Sequence, residues 1–237
     1  MLTKSHIKLI TSLSQKKFRQ QEQLFVVEGI KGINEFLNSS FKLHLLFSTE
    51  AIFNAETIII SEKELQKISN LKSPNRALAV FYIPKKKHVE PNGLILALDD
   101  VRDPGNLGTI IRLCDWFGIK KLVCSNATVD CYNSKVVQAT MGSLARIDIQ
   151  YVDLQAYLSD YKNDVFGTFM DGNNIYSETL PDKGIIVMGN EANGISEEIE
   201  KLVTKKLCIP RFGDLKATES LNVATATSIV LSEFKRE

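Results

Sequence analysis

Cysteine is scarce in this sequence and unpaired. Cys114, Cys124, Cys131 and Cys208 form no CxxC pair, and no nearby histidine completes a zinc set. Three of the four lie in apolar periodic stretches, which reads as small buried hydrophobes in a reducing compartment. Histidine is as sparse. His6, His44 and His88 sit away from the polar loops of the C-terminal part, so a histidine-based acid–base or metal mechanism has little support. No GxGxxG and no Walker A sequence occurs, which excludes the usual dinucleotide and phosphate-loop cradles. No apolar run approaches a membrane span, and no signal-peptide core opens the chain; the expected compartment is the cytoplasm. Neither sign of charge dominates, with 29 Lys and Arg against 28 Asp and Glu. No overall basic field announces nucleic acid, yet a local patch can steer RNA while acids elsewhere cancel the sum.

What is present is an ordinary globular composition. The 237 residues are 44% hydrophobic and 24% charged, enough for one large or two small domains. Residues 1–83 read as a small α/β unit. A polar, basic opening, Lys16-Lys17-Phe18-Arg19, precedes apolar strands at Leu24–Val27, Leu43–Phe47, Thr57–Ile60 and Leu78–Ile83. Ile30, Ile33, Phe36 and Leu37 recur at helical spacing, and Ser61 with Glu64 is a capping box before Leu65 and Ile68. Residues 84–93, with two prolines, a glycine and three lysines, read as a linker. Residues 94–237 alternate strands (Leu94–Leu98, Lys121–Cys124, Ile147–Val152, Val165–Phe169, Gly184–Met188, Lys206–Ile209) with helices (106–117, 133–142, 196–203, 220–235). That alternation predicts an α/β fold with a mostly parallel sheet covered on both faces.

Three polar loops follow predicted strands, at the sheet edge where open α/β proteins bind ligands. The first, Asp99 to Arg112, passes an acidic turn and Pro104-Gly105 into a helix start, with Asn106 near it as a possible cap and Arg112 almost two turns on. The second, Met188 to Ser196, sets Glu191 between Gly189 and Gly194, with Ser196 as a helix cap. The third follows Ile209-Pro210 through a polar stretch to Ser220-Leu221-Asn222 and a helix of Ala, Thr and Ser that must be buried against close neighbours. Asn222 is notable there, because asparagine lowers helix propensity and is costly to bury unpaired.

Taken jointly, these loops resemble the motifs of the SpoU (TrmH-like) branch of the SPOUT RNA methyltransferases. Asp103-Pro104-Gly105-Asn106-Leu107-Gly108 with Arg112 resembles the first motif, Gly189-Asn190-Glu191-Ala192-Asn193-Gly194 the second, and Glu219-Ser220-Leu221-Asn222-Val223 the third. The resemblance covers essentially all of 94–237. Residues 1–83 resemble the ribosomal-protein-like substrate-binding domain found beside it, through Phe25-Val26-Val27-Glu28-Gly29 and Ser73-Pro74. Two stretches depart from the family's common wording. Asn133-Ser134-Lys135 is followed by Gln138 where an Arg is frequent, and Ser73-Pro74 by Asn75-Arg76 where Gln-Gly is frequent. Both lie in regions expected to approach substrate.

The resemblance implies a parallel sheet threaded by a deep trefoil knot, S-adenosylmethionine as methyl donor, a homodimeric enzyme, no metal, and a ribose 2′-hydroxyl of tRNA or rRNA as acceptor. It places Thr168, Gly189, Ile209 and Leu221 at the cofactor, and Asn106, Arg112, Glu191, Ser220 and Asn222 at the chemistry. Methyl transfer is an in-line displacement, so the protein's work is positioning and removal of the hydroxyl proton. Arg112 is the family's proposed base, but arginine hardly deprotonates; a clamp on the adjacent phosphate that lowers the hydroxyl pKa fits its chemistry better. The alternative expectation is an RNA-binding or ribosome-assembly module of the same fold without catalysis.

Overall fold

The computed structural model describes residues 1–85, 93–213 and 220–236. Most of the 84–93 linker and the end of the third polar loop lie outside the described residues. The chain divides into two compact units, each built from two segments: Met1–Lys86 with Asp130–Arg146, and Lys87–Val129 with Ile147–Glu237.

The first unit opens with two helices, α1 (Lys4–Ser12) and α2 (Lys16–Glu22), where the sequence reads only as a polar opening. α1 starts on a capping box between Thr3 and His6 and buries Ile10; α2 buries Arg19, a charge that hydrophobic periodicity counts as surface. The four apolar runs become β1 (Leu24–Glu28), β2 (Leu43–Ser48), β3 (Ile58–Ile59) and β4 (Ala77–Tyr82), in sheet order β1-β4-β2-β3. α3 (Ile30–Leu37) buries Ile33 and Phe36, and α4 (Glu62–Ile68) buries Leu65 and Ile68, as their spacing requires. The Ser61–Glu64 capping box closes through Ser61 N–H to Glu64 Oε2 at 2.9 Å and Glu64 N–H to Ser61 Oγ at 3.3 Å.

The second unit holds a six-stranded sheet of order β10-β8-β9-β5-β6-β7, parallel at every pairing. In chain order its elements are β5 (Leu94–Leu98), α5 (Pro104–Trp116), β6 (Lys121–Ser125), then, beyond α6 (Ser134–Thr140) of the first unit, β7 (Asp148–Val152), α7 (Leu154–Ser159), β8 (Val165–Asn174), β9 (Gly184–Met188), α8 (Glu197–Glu200), β10 (Lys205–Cys208) and α9 (Val223–Phe234). Side chains alternate across a strand, so each strand serves two cores. Ile95, Ala97, Ile185 and Val187 share one with Leu154 and Leu158 of α7 and Ile199 of α8. On the other face α5 packs against α9, and the Phe166 and Phe234 rings meet at 5.0 Å. α7 is an element the sequence reading omits: Asp153 caps it and Leu154 and Leu158 anchor it, one turn apart, too short a run to show a period. β8 is longer than expected and breaks register with β10: Lys206 pairs with Gly167, but Leu207 pairs with Asn173. Thr168–Gly172 is thereby released from that ladder.

The segment Asp130–Arg146 belongs to the first unit although it lies within 94–237. Arg19, 2% exposed, donates through Nε to Asp130 Oδ2 at 3.0 Å and through Nη1 to the Leu13 and Ser14 carbonyls at 2.8 and 2.9 Å. Tyr132 packs on Phe25 with ring centres 4.7 Å apart, Arg146 pairs with Glu35 at 2.5 Å, and α6 lies against β1. A composition break marks where a chain leaves a domain; it carries no trace of a segment that returns to one.

Candidate active site

Parallel register brings the polar loops together. Leu98 pairs with Met188 at the ends of β5 and β9, so the loops after the two strands emerge side by side. β6 continues the sheet on the other side of β5, which makes this edge a topological switch point. Asp99, 7% exposed, fixes the junction: its Oδ2 accepts from Ser196 N–H at 2.8 Å and Ser196 Oγ at 2.7 Å. Ser196 is the N-cap residue of α8 as expected, but its hydroxyl caps nothing, because Asp99 takes it. Asn190 Nδ2 donates to the Asp100 carbonyl at 2.7 Å, and its Oδ1 accepts from Ala192 and Asn193 N–H at 2.8 and 3.1 Å. A two-way backbone bridge between Asn190 and Gly194 completes a tight loop around Glu191.

The helix start of the first loop corrects one expectation. Asp103, not Asn106, caps α5: its Oδ1 accepts from Asn106 N–H at 2.8 Å, with Pro104 just inside the helix. Freed from capping, the Asn106 amide works sideways. Its Nδ2 donates to Glu191 Oε1 at 2.9 Å, and its Oδ1 accepts from Asn222 Nδ2 at 2.9 Å. Asn222 is likewise neither buried nor inside the helix. It is the exposed N-cap of α9, its Oδ1 accepting from Ala224 and Thr225 N–H at 3.0 and 3.2 Å. Three residues from three loops thus form one hydrogen-bonded chain, Glu191–Asn106–Asn222. The helix that Asn222 opens is buried as its composition requires, with Thr227 Oγ1 returned to the Val223 carbonyl at 2.7 Å.

Beside this chain lies a cavity of about 600 Å³. Thr168, Gly189, Ile209 and Leu221, the four residues the resemblance assigns to a cofactor, all line it, with Glu191 and Ser220. Its walls mix backbone with apolar surface, and its size falls in the range of small-molecule sites. Gly189 must be glycine here, since a Cβ would collide with the backbone of Gly194 and Ile195. At one side Lys206 meets Glu200 at 2.5 Å and Asp171 at 3.6 Å and lies 4.7 Å from the Phe169 ring centre. The hydrogen bond to Glu200 raises its pKa above the ordinary lysine value, with Asp171 adding to the effect and desolvation opposing it. Arg102 is raised in the same way, first by its hydrogen bond to Asp100 and least by the charge of Glu191.

Arg112 stands apart. It is exposed and makes no ion pair among the described residues. Six residues beyond Asn106, it is displaced about 9 Å along α5 and about 240° around it. It does not line the cavity of its own chain. Asp99, Asp103 and Asn190 are the site-building residues that sequence reasoning leaves without a role. Their signal is position: each is a short polar side chain directly after an apolar strand or before a helix, where caps and Asx turns form. Cys114 is inert, its thiol pushed up by complete burial.

Residues 93–232 match the family model described as the SpoU rRNA methylase family, and residues 4–79 that of the MRM3-like substrate binding domain. The chain belongs to the SpoU rRNA methylase family. Among curated relatives it is 27% identical over 234 residues to the Bacillus subtilis 23S rRNA (guanosine(2553)-2′-O)-methyltransferase RlmP, covering 94% of this chain and 93% of that protein. A TrmH-family structure from Porphyromonas gingivalis superposes with a TM-score of 0.90 at 38% identity, over 100% of this chain and 99% of that one. An AdoMet-bound rRNA methyltransferase from Sinorhizobium meliloti does so with a TM-score of 0.87 at 28% identity, over 100% and 96%. The α/β fold with its parallel six-stranded sheet is shared with these solved structures.

Proposed function

We propose that this protein transfers a methyl group from S-adenosylmethionine to a ribose 2′-hydroxyl of ribosomal RNA, as a cytoplasmic homodimer. The observation that carries the reading is the Glu191–Asn106–Asn222 chain beside a cavity lined by Thr168, Gly189, Ile209 and Leu221. The cofactor fits what is there: a close backbone approach at Gly189, apolar walls at Ile209 and Leu221, and polar groups at Glu191 and Ser220. Bound, it supplies an electrophilic sulfonium methyl group. The chain's residues do the rest. Gly189 and the loop to Gly194 hold cofactor through backbone groups, while Ser220 and the hydrogen-bonded chain orient the acceptor ribose and the loops around it. As the O–C bond forms, the sulfonium S–CH3 bond would break to leave S-adenosylhomocysteine, and the 2′-hydroxyl proton would pass to solvent water. Arg112, clamped on the adjacent phosphate, lowers that hydroxyl's pKa.

The exposed place of Arg112, away from its own cavity, supports a site shared by two protomers, each arginine serving the other's cavity. The familial deep knot would lie in the C-terminal part of residues 94–237. Residues 94–237 would form the catalytic domain and 1–83 the RNA-binding one. The intact hydrogen-bonded chain speaks against an inactive module. Large-subunit RNA is favoured over tRNA by the full-length match to a 23S rRNA enzyme. Mapping 2′-O-methyl groups by mass spectrometry in RNA from a strain lacking the protein tests the activity and its RNA target. One methyl group should be missing from rRNA, restored by wild type and not by Arg112→Ala. A complete rRNA and tRNA methylation pattern in the deletion strain sinks the reading, and full restoration by Arg112→Ala removes that residue from the mechanism.

A further inference from the structure

The two stretches the catalytic site leaves unused, 73–76 and 133–138, meet inside the first unit. Asn75 and Arg76 precede β4; Gln138 lies on α6. Together with Lys31 they surround a cleft of about 420 Å³ floored by Val27, Phe36 and Val137. Four residues with positive φ border it: Gly29 at 92°, Arg76 at 44°, Met141 at 52° and Gly142 at 96°. For arginine and methionine that backbone is sparsely populated and persists only where surroundings over-determine it. The cleft also holds donors in excess. Arg76 has only a 3.6 Å contact with Glu50, both side chains more than half exposed, and Lys31 has no ion pair among the described residues. The one carboxylate on its border, Glu28, is engaged inward by Ser69 Oγ and, at 2.8 Å, Asn70 N–H. Two cations, two side-chain amides and an apolar floor are what an unstacked nucleotide needs: charge for its phosphate, surface for its base, and hydrogen-bonding edges.

We infer that this cleft seats an unpaired nucleotide of the RNA substrate, distinct from the one that is methylated. Its phosphate lies against Lys31 and Arg76, and its base over the apolar floor with its edge toward Asn75 and Gln138. The inference rests on the methyltransferase reading for its ligand, and its test is kept separate from catalysis. Filter binding of labelled, deproteinised large-subunit rRNA is measured across a salt series, with wild type, Lys31→Ala/Arg76→Asn, Gln138→Ala and Lys63→Ala as a surface-charge control on α4. Asparagine tolerates the left-handed backbone at 76, so the fold is retained; unfolding midpoint and S-adenosylmethionine affinity check this. The double variant is expected to bind roughly tenfold more weakly, with the slope of log affinity against log salt flattened by about 0.7, that of one lost single-strand phosphate contact. Gln138→Ala should weaken binding without changing the slope, and Lys63→Ala should do neither. Wild-type affinity and slope in the folded double variant overturn the inference, as does a variant that loses self-association instead of RNA binding. Failure of wild type to methylate rRNA that it binds would instead count against the catalytic reading.

Discussion

Asn222 carries two duties through one amide. Its oxygen caps α9 and its nitrogen holds Asn106, which in turn holds Glu191. The two duties can be separated chemically. Asn222→Asp keeps a good N-cap acceptor but cannot donate to the Asn106 oxygen, and its charge opposes that of Glu191. Unfolding free energy should stay within about 1 kcal/mol of wild type. Methyl transfer at saturating cofactor should fall at least tenfold, the effect of losing one oriented polar contact at a reacting centre. Single-turnover rates beside urea titrations measure both. A wild-type rate in this variant would show that the amide chain is scaffolding only.

Caps also govern the elements. α4 is seven residues long, too short to persist on propensity, and its start depends on the Ser61–Glu64 box. Backbone and side-chain hydrogen bonds from Ser61 hold the Glu64 pKa below its ordinary value. A carboxyl with a depressed folded pKa contributes stability above its unfolded pKa and loses it as pH falls through the folded one. The contribution should therefore be present at neutral pH and fade below about pH 4.3, the unperturbed glutamate value. Ser61→Ala should cost about 1 kcal/mol at pH 7 and progressively less on acidification, read from urea unfolding at stepped pH. An equal cost at pH 7 and pH 3 would mean that the Ser61 hydroxyl contributes nothing to the Glu64 carboxylate.

At the scale of the whole molecule, the return of Asp130–Arg146 to the first unit is the decisive feature. The pair between Arg19 and Asp130 has side chains only 3% and 15% exposed, so removing one partner strands a buried charge. Asp130→Ala should destabilise by about 3–5 kcal/mol, whereas breaking the half-exposed Arg146–Glu35 pair should cost at most about 1 kcal/mol. Denaturant midpoints of the two single variants decide this, and equal costs would contradict the burial argument. A fragment ending at residue 85 lacks α6 and Tyr132, which cover β1 and Phe25. Its amide spectrum is expected to be broadened beside that of the full chain.

The sequence by itself determined the alternation of strands and helices, the apolar strand runs, the α4 cap and the three polar loops. These are local patterns written in neighbouring residues, and hydrophobic period and turn chemistry read them directly. It also named the cavity residues Thr168, Gly189, Ile209 and Leu221, through family resemblance rather than periodicity. Only the tertiary structure decided which polar groups meet. That Asp103 rather than Asn106 caps α5, that Asp99 takes the Ser196 hydroxyl, and that Asn106 links Glu191 to Asn222 all depend on parallel register between strands far apart in the chain. The same holds for Arg19, a surface residue by period and a buried one in fact, because its partner Asp130 lies 111 positions away. The candidate site was legible as three polar loops. Its hydrogen-bonded core, and the cleft lined by Asn75, Arg76 and Gln138, exist only once distant segments are brought together.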